Sequence, residues 1–144
     1  LKESIIGDDT DGHIDDIARF VNQNTVVCSF EEDKKDDNYK PLKEAYELLK
    51  GMRDERGNKL SVVKLPMPGF VADKEGKRLP ASYANFYIGN DTVAVPVFGA
   101  KNDIKAIKTL KKLFPSRMVV GIDCKAMVSG LGALHCCSQQ QPSI

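Results

Sequence analysis

Ala18-Arg19-Phe20, leading to Asn24-Thr25-Val26-Val27-Cys28-Ser29-Phe30, is matched 66 to 67 residues later by Ala84-Asn85-Phe86, leading to Asn90-Asp91-Thr92-Val93-Ala94-Val95-Pro96-Val97-Phe98. Each stretch reads as two short strands joined by a polar turn, Asn22-Gln23-Asn24 in one and Gly89-Asn90-Asp91 in the other. A helical pattern follows each. Leu42, Ala45, Leu49 and Met52 recur at helical spacing in the first unit, and Ile104, Ile107, Leu110 and Phe114 in the second. Asp37 or Asn38 suits the first helix start, with Pro41 in its first turn. Asn102 suits the second, and Pro115 ends it. Apolar runs at 60–65 and 118–122 then complete strand-strand-helix-strand, twice. A last strand-like piece is expected at 134–138.

Working outward, residues 31–37 read as a solvated loop whose charge is its only role. Residues 66–80 hold three prolines and two glycines among charges, and are expected to connect the units as a flap-like segment. The 144 residues suit one domain or part of one, with 42% hydrophobic and 28% charged residues. A net charge of +1 gives no bulk attraction to nucleic acid or anionic membrane. No apolar run approaches the roughly 20 residues of a membrane span. No signal peptide is visible, and the four cysteines form no CxxC pair, which argues against structural zinc. A reducing cytoplasm is the simpler expectation. The chain begins at Leu1, as a fragment, a processed chain or an excised piece would.

Two histidines carry the chemical interest. His13 and Asp15 lie in Gly7-Asp8-Asp9-Thr10-Asp11-Gly12-His13-Ile14-Asp15. On an extended chain, residues two apart face one side, so this pair reads as a general acid/base beside a cation-binding carboxylate. The alternative is a loop histidine among turn-forming aspartates. A calcium loop fails on register, and a metal hydrolase lacks a second histidine nearby. His135 adjoins Cys136 and Cys137 in Gly132-Ala133-Leu134-His135-Cys136-Cys137-Ser138. On a strand only one of two adjacent cysteines reaches a given site. One is then a nucleophile, or both are small buried hydrophobes. Gly130-Leu131-Gly132 suggests a tight turn where the backbone approaches a ligand closely. Asn85 and Tyr83 are candidate ligand contacts, although such residues more often pack and cap, and Gln139 to Gln141 read as terminal polar residues or as anchors of the turn.

These motifs resemble one family. Residues 7–20, GDDTDGHIDDIARF, are similar to the histidine motif of agmatine deiminases and bacterial-type peptidylarginine deiminases. LPASYANFYI at 79–88 resembles their next landmark, and residues 114–142, including GALHCCSQQQP, their C-terminal end. The resemblance implies an α/β pentein fold, a five-bladed propeller of ββαβ units around a central site. The chain would supply two units, at about 13–66 and 80–123, and a nucleophile segment at 124–144. The N-terminal part would be absent. Cys136 aligns with the nucleophile and His13 with the acid/base; Asp15 would pair with guanidinium N–H groups, and Asn85 is a further expected substrate contact. His135 is then expected to be structural. Departures from the family pattern are Gly130-Leu131-Gly132-Ala133, in place of a glycine-rich run, and Cys137, in place of an aliphatic.

The function so implied is hydrolytic deimination through a covalent cysteine thiouronium, agmatine giving N-carbamoylputrescine and ammonia for putrescine synthesis. Peptidylarginine to citrulline is the sibling reading. A non-catalytic pentein piece serving binding or assembly is the alternative of another class. No cofactor or metal is implied. The expected partners are a small guanidine substrate and the rest of the same domain, without which the chain is expected to be inactive. Nucleic acid and membrane are not expected as partners, and a homo-oligomer stays open.

Overall fold

A computed structural model describes residues 4–8 and 12–141. Two units of like topology follow one another. In the first, β1 (Ala18–Phe20) pairs antiparallel with β2 (Thr25–Phe30), and β2 pairs in parallel with β3 (Ser61–Pro66) across α1 (Tyr39–Gly51). In the second, β4 (Tyr87–Ile88) pairs antiparallel with β5 (Thr92–Val97), and β5 in parallel with β6 (Met118–Asp123) across α2 (Asp103–Leu113). Each sheet thus has its long middle strand between an antiparallel and a parallel neighbour. The parallel partner needs a crossover long enough to hold a helix, which α1 and α2 provide. The architecture is α/β with two small mixed sheets.

Alternation along β2 sets the packing. Val26 and Cys28 face a core with Ile17, Leu42, Ala45 and Leu49, while Val27 joins a larger core built mostly from the second unit. Successive strand residues point to opposite faces, so the first sheet is covered on both. The larger core gathers Tyr83, Phe86, Val93, Val95, Leu110 and Phe114. Gly121 lets α2 lie close to its sheet: a Cβ there would sit 2.9 Å from Ile107 Cδ1 and 3.0 Å from Val97 Cγ1.

The helices start differently from the sequence expectation. Asn38 and Asn102 hold the cap positions but make no side-chain cap bond. Asn38 Oδ1 instead accepts from the Ile6 N–H at 2.8 Å, and Asn102 Nδ2 donates to the Met67 carbonyl at 2.8 Å. Asp103 does the local work, accepting from the N–H groups of Phe98 and Ala100 and from the Tyr83 hydroxyl at 2.6 Å. Its anchoring coincides with a buried stripe of Ala106, Leu110 and Phe114, and Ile104 is left 66% exposed rather than in the core.

Three further expectations are corrected. Residues 134–138 form no strand: Cys137 N–H bonds to the Ala133 carbonyl and Ser138 N–H to that of His135, a helix-like turn. A short apolar run does not distinguish these outcomes. Residues 84–86 likewise lie ahead of β4, which holds only Tyr87 and Ile88. Residues 31–37 are not merely solvated, because Asp36 pairs with Arg78 at 2.9 Å with both side chains largely buried. That pair ties the loop to the connector. The connector itself folds into a turn around Asp73, whose Oδ1 accepts from the N–H groups of Glu75 and Lys77, and it is anchored by buried Met67 and Leu79. No helix of the described residues is long and apolar enough to cross a membrane.

Candidate active site

Asp15 is where the two ends of the chain meet. It lies in a single 3-10 turn, Ile14–Asp16, immediately before β1, and not on the extended segment that the His13–Asp15 spacing suggested. Its Oδ2 is 2.7 Å from His135 Nδ1, 3.2 Å from Cys136 Sγ and 3.2 Å from Asn85 Nδ2. Burial pushes the Asp15 carboxyl up, but hydrogen bonds from His135 and Cys136 and the charge of His135 outweigh it. The carboxyl ends below its ordinary range.

The turn that bears Cys136 follows a second 3-10 turn, Met127–Gly130, which ends on Leu131 in the left-handed region at φ 66°. Gly132 comes next, and a Cβ there would meet Cys136 Cβ at 2.6 Å and Sγ at 2.8 Å. The close approach at Gly132 is thus to the cysteine side chain, where the sequence suggested a ligand. Asn85 Oδ1 accepts from the backbone N–H groups of Ala133, His135 and Cys136 at 3.2, 2.9 and 3.2 Å. Burial pushes the Cys136 thiol up, and the Asp15 carboxylate adds to this; the Asn85 amide opposes it.

Beneath these groups lies Asp16, 2% exposed. Its Oδ1 accepts from Asn85 Nδ2 at 3.0 Å. Burial and the charges of Asp15 and Asp8 raise its carboxyl to about 7, against pulls from Asn85 and Arg19. Its backbone carbonyl accepts from the hydroxyls of Ser82 at 2.7 Å and Ser29 at 3.0 Å. Arg19 Nη1 donates to the carbonyls of Ala84 and Phe86, on either side of Asn85, and its guanidinium lies 4.9 Å from the Phe86 ring centroid.

Above them opens a cleft of about 710 Å³ lined by His13, Asp15, Gly132, His135, Cys136 and Cys137, among others. A carboxylate, an imidazole and a thiol thus border one space, the parts needed for nucleophilic attack on a cation. Among the described residues, no group of three or more His, Cys, Asp or Glu is placed to hold a metal ion.

A family model of Porphyromonas-type peptidyl-arginine deiminases matches residues 1–142. The chain belongs to this family. Among relatives of these deiminases, the agmatine deiminase of Medicago truncatula is 40% identical over 164 aligned positions, covering 100% of this chain and 44% of that protein. The solved agmatine deiminase of Enterococcus faecalis superposes with a TM-score of 0.86 at 34% identity, over 92% of this chain and 41% of that one. A C. jejuni agmatine deiminase solved with substrate bound gives 0.81 at 38% identity, over 91% and 37%. The chain thus spans about two fifths of the length of these relatives.

Within this member of the family, the sequence-predicted residues are not all placed alike. His13, Asp15 and Cys136 border the same cleft, although His13 and Cys136 are 123 positions apart in the chain. Residues 9–11 of the histidine motif and Pro142 lie outside the described residues. Asn85 is 1% exposed, under the turn that bears Cys136 and not on the cleft wall. Tyr83 is fully buried. Cys137 lines the cleft alongside Cys136 because the segment is a turn, so the strand argument that one cysteine must face away does not hold. His135, expected to be structural, has a specific partner in Asp15 and also lines the cleft. Asp16, Arg19, Ser29 and Ser82, which support the site, are not among the residues the sequence picks out for it. The Asp15-Asp16 doublet was the one local hint, since adjacent buried carboxylates must be met by donors.

Proposed function

We propose that this chain carries the nucleophile and acid/base of an enzyme that hydrolyses a guanidinium group, with agmatine as substrate. The observation that carries this reading is the 3.2 Å contact of Cys136 Sγ with Asp15 Oδ2 on a cleft that His13 also lines. Asp15 offers a carboxylate to the planar N–H fork of the substrate. A guanidinium seated there places a cation beside the thiol and favours thiolate. Cys136 Sγ then bonds to the central carbon, and the C–N bond breaks. His13 protonates the departing nitrogen, which leaves as ammonia and gives an S-alkylthiouronium. His13 next takes a proton from water, whose oxygen attacks the same carbon. The C–S bond breaks, freeing the thiol and a ureido product. From agmatine that product is N-carbamoylputrescine.

The remainder of a five-bladed propeller, with a second acid for the guanidinium, is assigned to the part of the domain outside this chain. On that assignment the chain alone is inactive. The agmatine deiminases among its relatives support the substrate; the family's peptidyl-arginine description supports arginine in peptides as the second reading. Ammonia release by the full-length protein decides between them. Turnover of agmatine with none of a blocked peptidyl-arginine supports the first, and the reverse overturns it. No release from any guanidine supports a binding or assembly module instead.

A further inference from the structure

Cys136 and Cys137 are consecutive, exposed and border the same cleft. On a strand their side chains would diverge to opposite faces. The turn removes that separation. Cys137 N–H reaches back to the Ala133 carbonyl at 3.3 Å and Ser138 N–H to that of His135 at 2.9 Å, so both thiols open on one space. The deimination reading uses only one of them. Cys137 stands where the family pattern has an aliphatic side chain, and core packing does not account for it, because it is exposed. The other two cysteines, Cys28 and Cys124, are fully buried. The two exposed sulfurs also differ in their surroundings. Cys136 Sγ lies 3.2 Å from Asp15 Oδ2 and as a thiol donates to it; burial and that carboxylate both oppose its ionisation. The thiolate is the form that reacts with an oxidant, so Cys136 is shielded in the absence of a bound cation. Cys137, exposed beside it, is the sulfur open to attack.

From this arrangement we propose that Cys136 and Cys137 form a reversible modification site for hydrogen peroxide, Cys137 taking the oxygen and Cys136 closing a disulfide that withdraws the nucleophile from catalysis. The Cys137 thiolate attacks peroxide. An S–O bond forms, the O–O bond breaks, hydroxide leaves, and the sulfur is oxidised to a sulfenic acid. Cys136 Sγ then attacks that sulfur as its proton passes to Asp15 Oδ2. The S–S bond forms, the S–O bond breaks, and the departing hydroxide takes the proton from Asp15 and leaves as water. Consecutive α-carbons are about 3.8 Å apart, shorter than the roughly 4.4–6.8 Å of relaxed disulfides. The ring is therefore strained, and strained, exposed disulfides are the readily reduced ones. A dithiol reductant reopens it, whereas a sulfinic acid on Cys136 would be permanent. The effect on activity rests on Cys136 being the nucleophile of the proposed deiminase; the ring itself does not.

The test treats the full-length protein with hydrogen peroxide in the absence of substrate. Free thiols are then blocked with iodoacetamide before peptide mass mapping. The wild-type peptide that carries both cysteines is expected to be lighter by two hydrogens and unalkylated, and to regain both alkylation sites after dithiothreitol. Agmatine turnover, taken relative to each protein's own untreated rate, is expected to fall at least about tenfold in wild type and to return to within about twofold on reduction. Cys137→Ser is expected to hold within about twofold of its untreated rate at the same dose. In Cys136→Ser the sulfenic acid stays on Cys137 and is trapped by dimedone. Resistance of the wild type to peroxide, a disulfide from either cysteine to a third one, sulfinic acid on wild-type Cys136, or equal inactivation of Cys137→Ser overturns the proposal. The wild-type map needs no variant, so a variant that does not fold leaves the proposal refutable. The ring is read by mass without turnover. Its formation in a protein with no deiminase activity counts against the deiminase reading and not against this site, and its absence in an active deiminase does the reverse.

Discussion

Replacing Gly132 with alanine places one methyl group where Cys136 already stands. The new Cβ falls 2.6 Å from Cys136 Cβ and 2.8 Å from its Sγ. Rotation about the cysteine side chain relieves the second clash but not the first, because Cβ does not move with that torsion. The backbone must therefore yield by roughly 0.8 Å to reach the 3.4 Å at which ordinary contact begins. That shift acts on a turn clamped at Ala133, His135 and Cys136 by Asn85 Oδ1. A shift of that size away from Asp15 stretches the 3.2 Å contact of Cys136 Sγ toward 4 Å, the outer limit for a hydrogen bond from sulfur. Overpacking of this kind costs about 1–3 kcal/mol, and a misplacement of about 1 Å at a reacting atom lowers the rate about 100-fold. Gly130 is the control, because a Cβ there meets nothing within 4 Å. In the full-length protein, kcat for agmatine and the thermal midpoint are measured for both variants. Gly132→Ala is expected to lose about two orders of magnitude in kcat, and Gly130→Ala to stay near wild type. Wild-type turnover in Gly132→Ala, or equal damage from both, refutes the steric argument.

Asp16 predicts a pH effect of definite sign. Its folded carboxyl is raised to about 7, so the native state holds a proton that the unfolded state has released above about 4. The Asp16 contribution to stability therefore falls between about pH 4 and 7 and is flat above, and Asp16→Asn is expected to flatten the fall of the thermal midpoint from pH 5 to pH 8. An unchanged slope counts against it. Asp36→Asn strands the Arg78 guanidinium, whose side chain is 10% exposed, and is expected to destabilise by about 3 kcal/mol in urea unfolding. Tyr83→Phe removes the hydroxyl that donates to Asp103 at 2.6 Å and is expected to cost about 1–2 kcal/mol with little change in KM.

The repeat that opens the sequence is the repeat of the fold: β2 and β5 start 67 residues apart, and each precedes a helix and a parallel strand. Periodicity exposes such elements because each buries one face in its own unit. The ends of elements were less legible. The sequence pattern at 134–138 suits a strand, but Asn85, far away in the chain, satisfies that segment's N–H groups and holds it as a turn. Ile104 fits the apolar period of α2, yet the stripe that packs is Ala106, Leu110 and Phe114. The cleft's carboxylate, imidazole and thiol were legible as residue types. Their supports were not, because Asp16, Arg19, Ser29 and Ser82 act through contacts such as Ser82 to the Asp16 carbonyl, 66 residues apart in sequence.

The central claim is that Cys136 bonds covalently to the guanidinium carbon. Acid quenching of the full-length protein during turnover of agmatine, followed by peptide mass mapping, tests it directly. The account predicts a thiouronium adduct on Cys136, absent from Cys136→Ser and retained in Cys137→Ser. An adduct on Cys137, or undiminished turnover by Cys136→Ser, contradicts it.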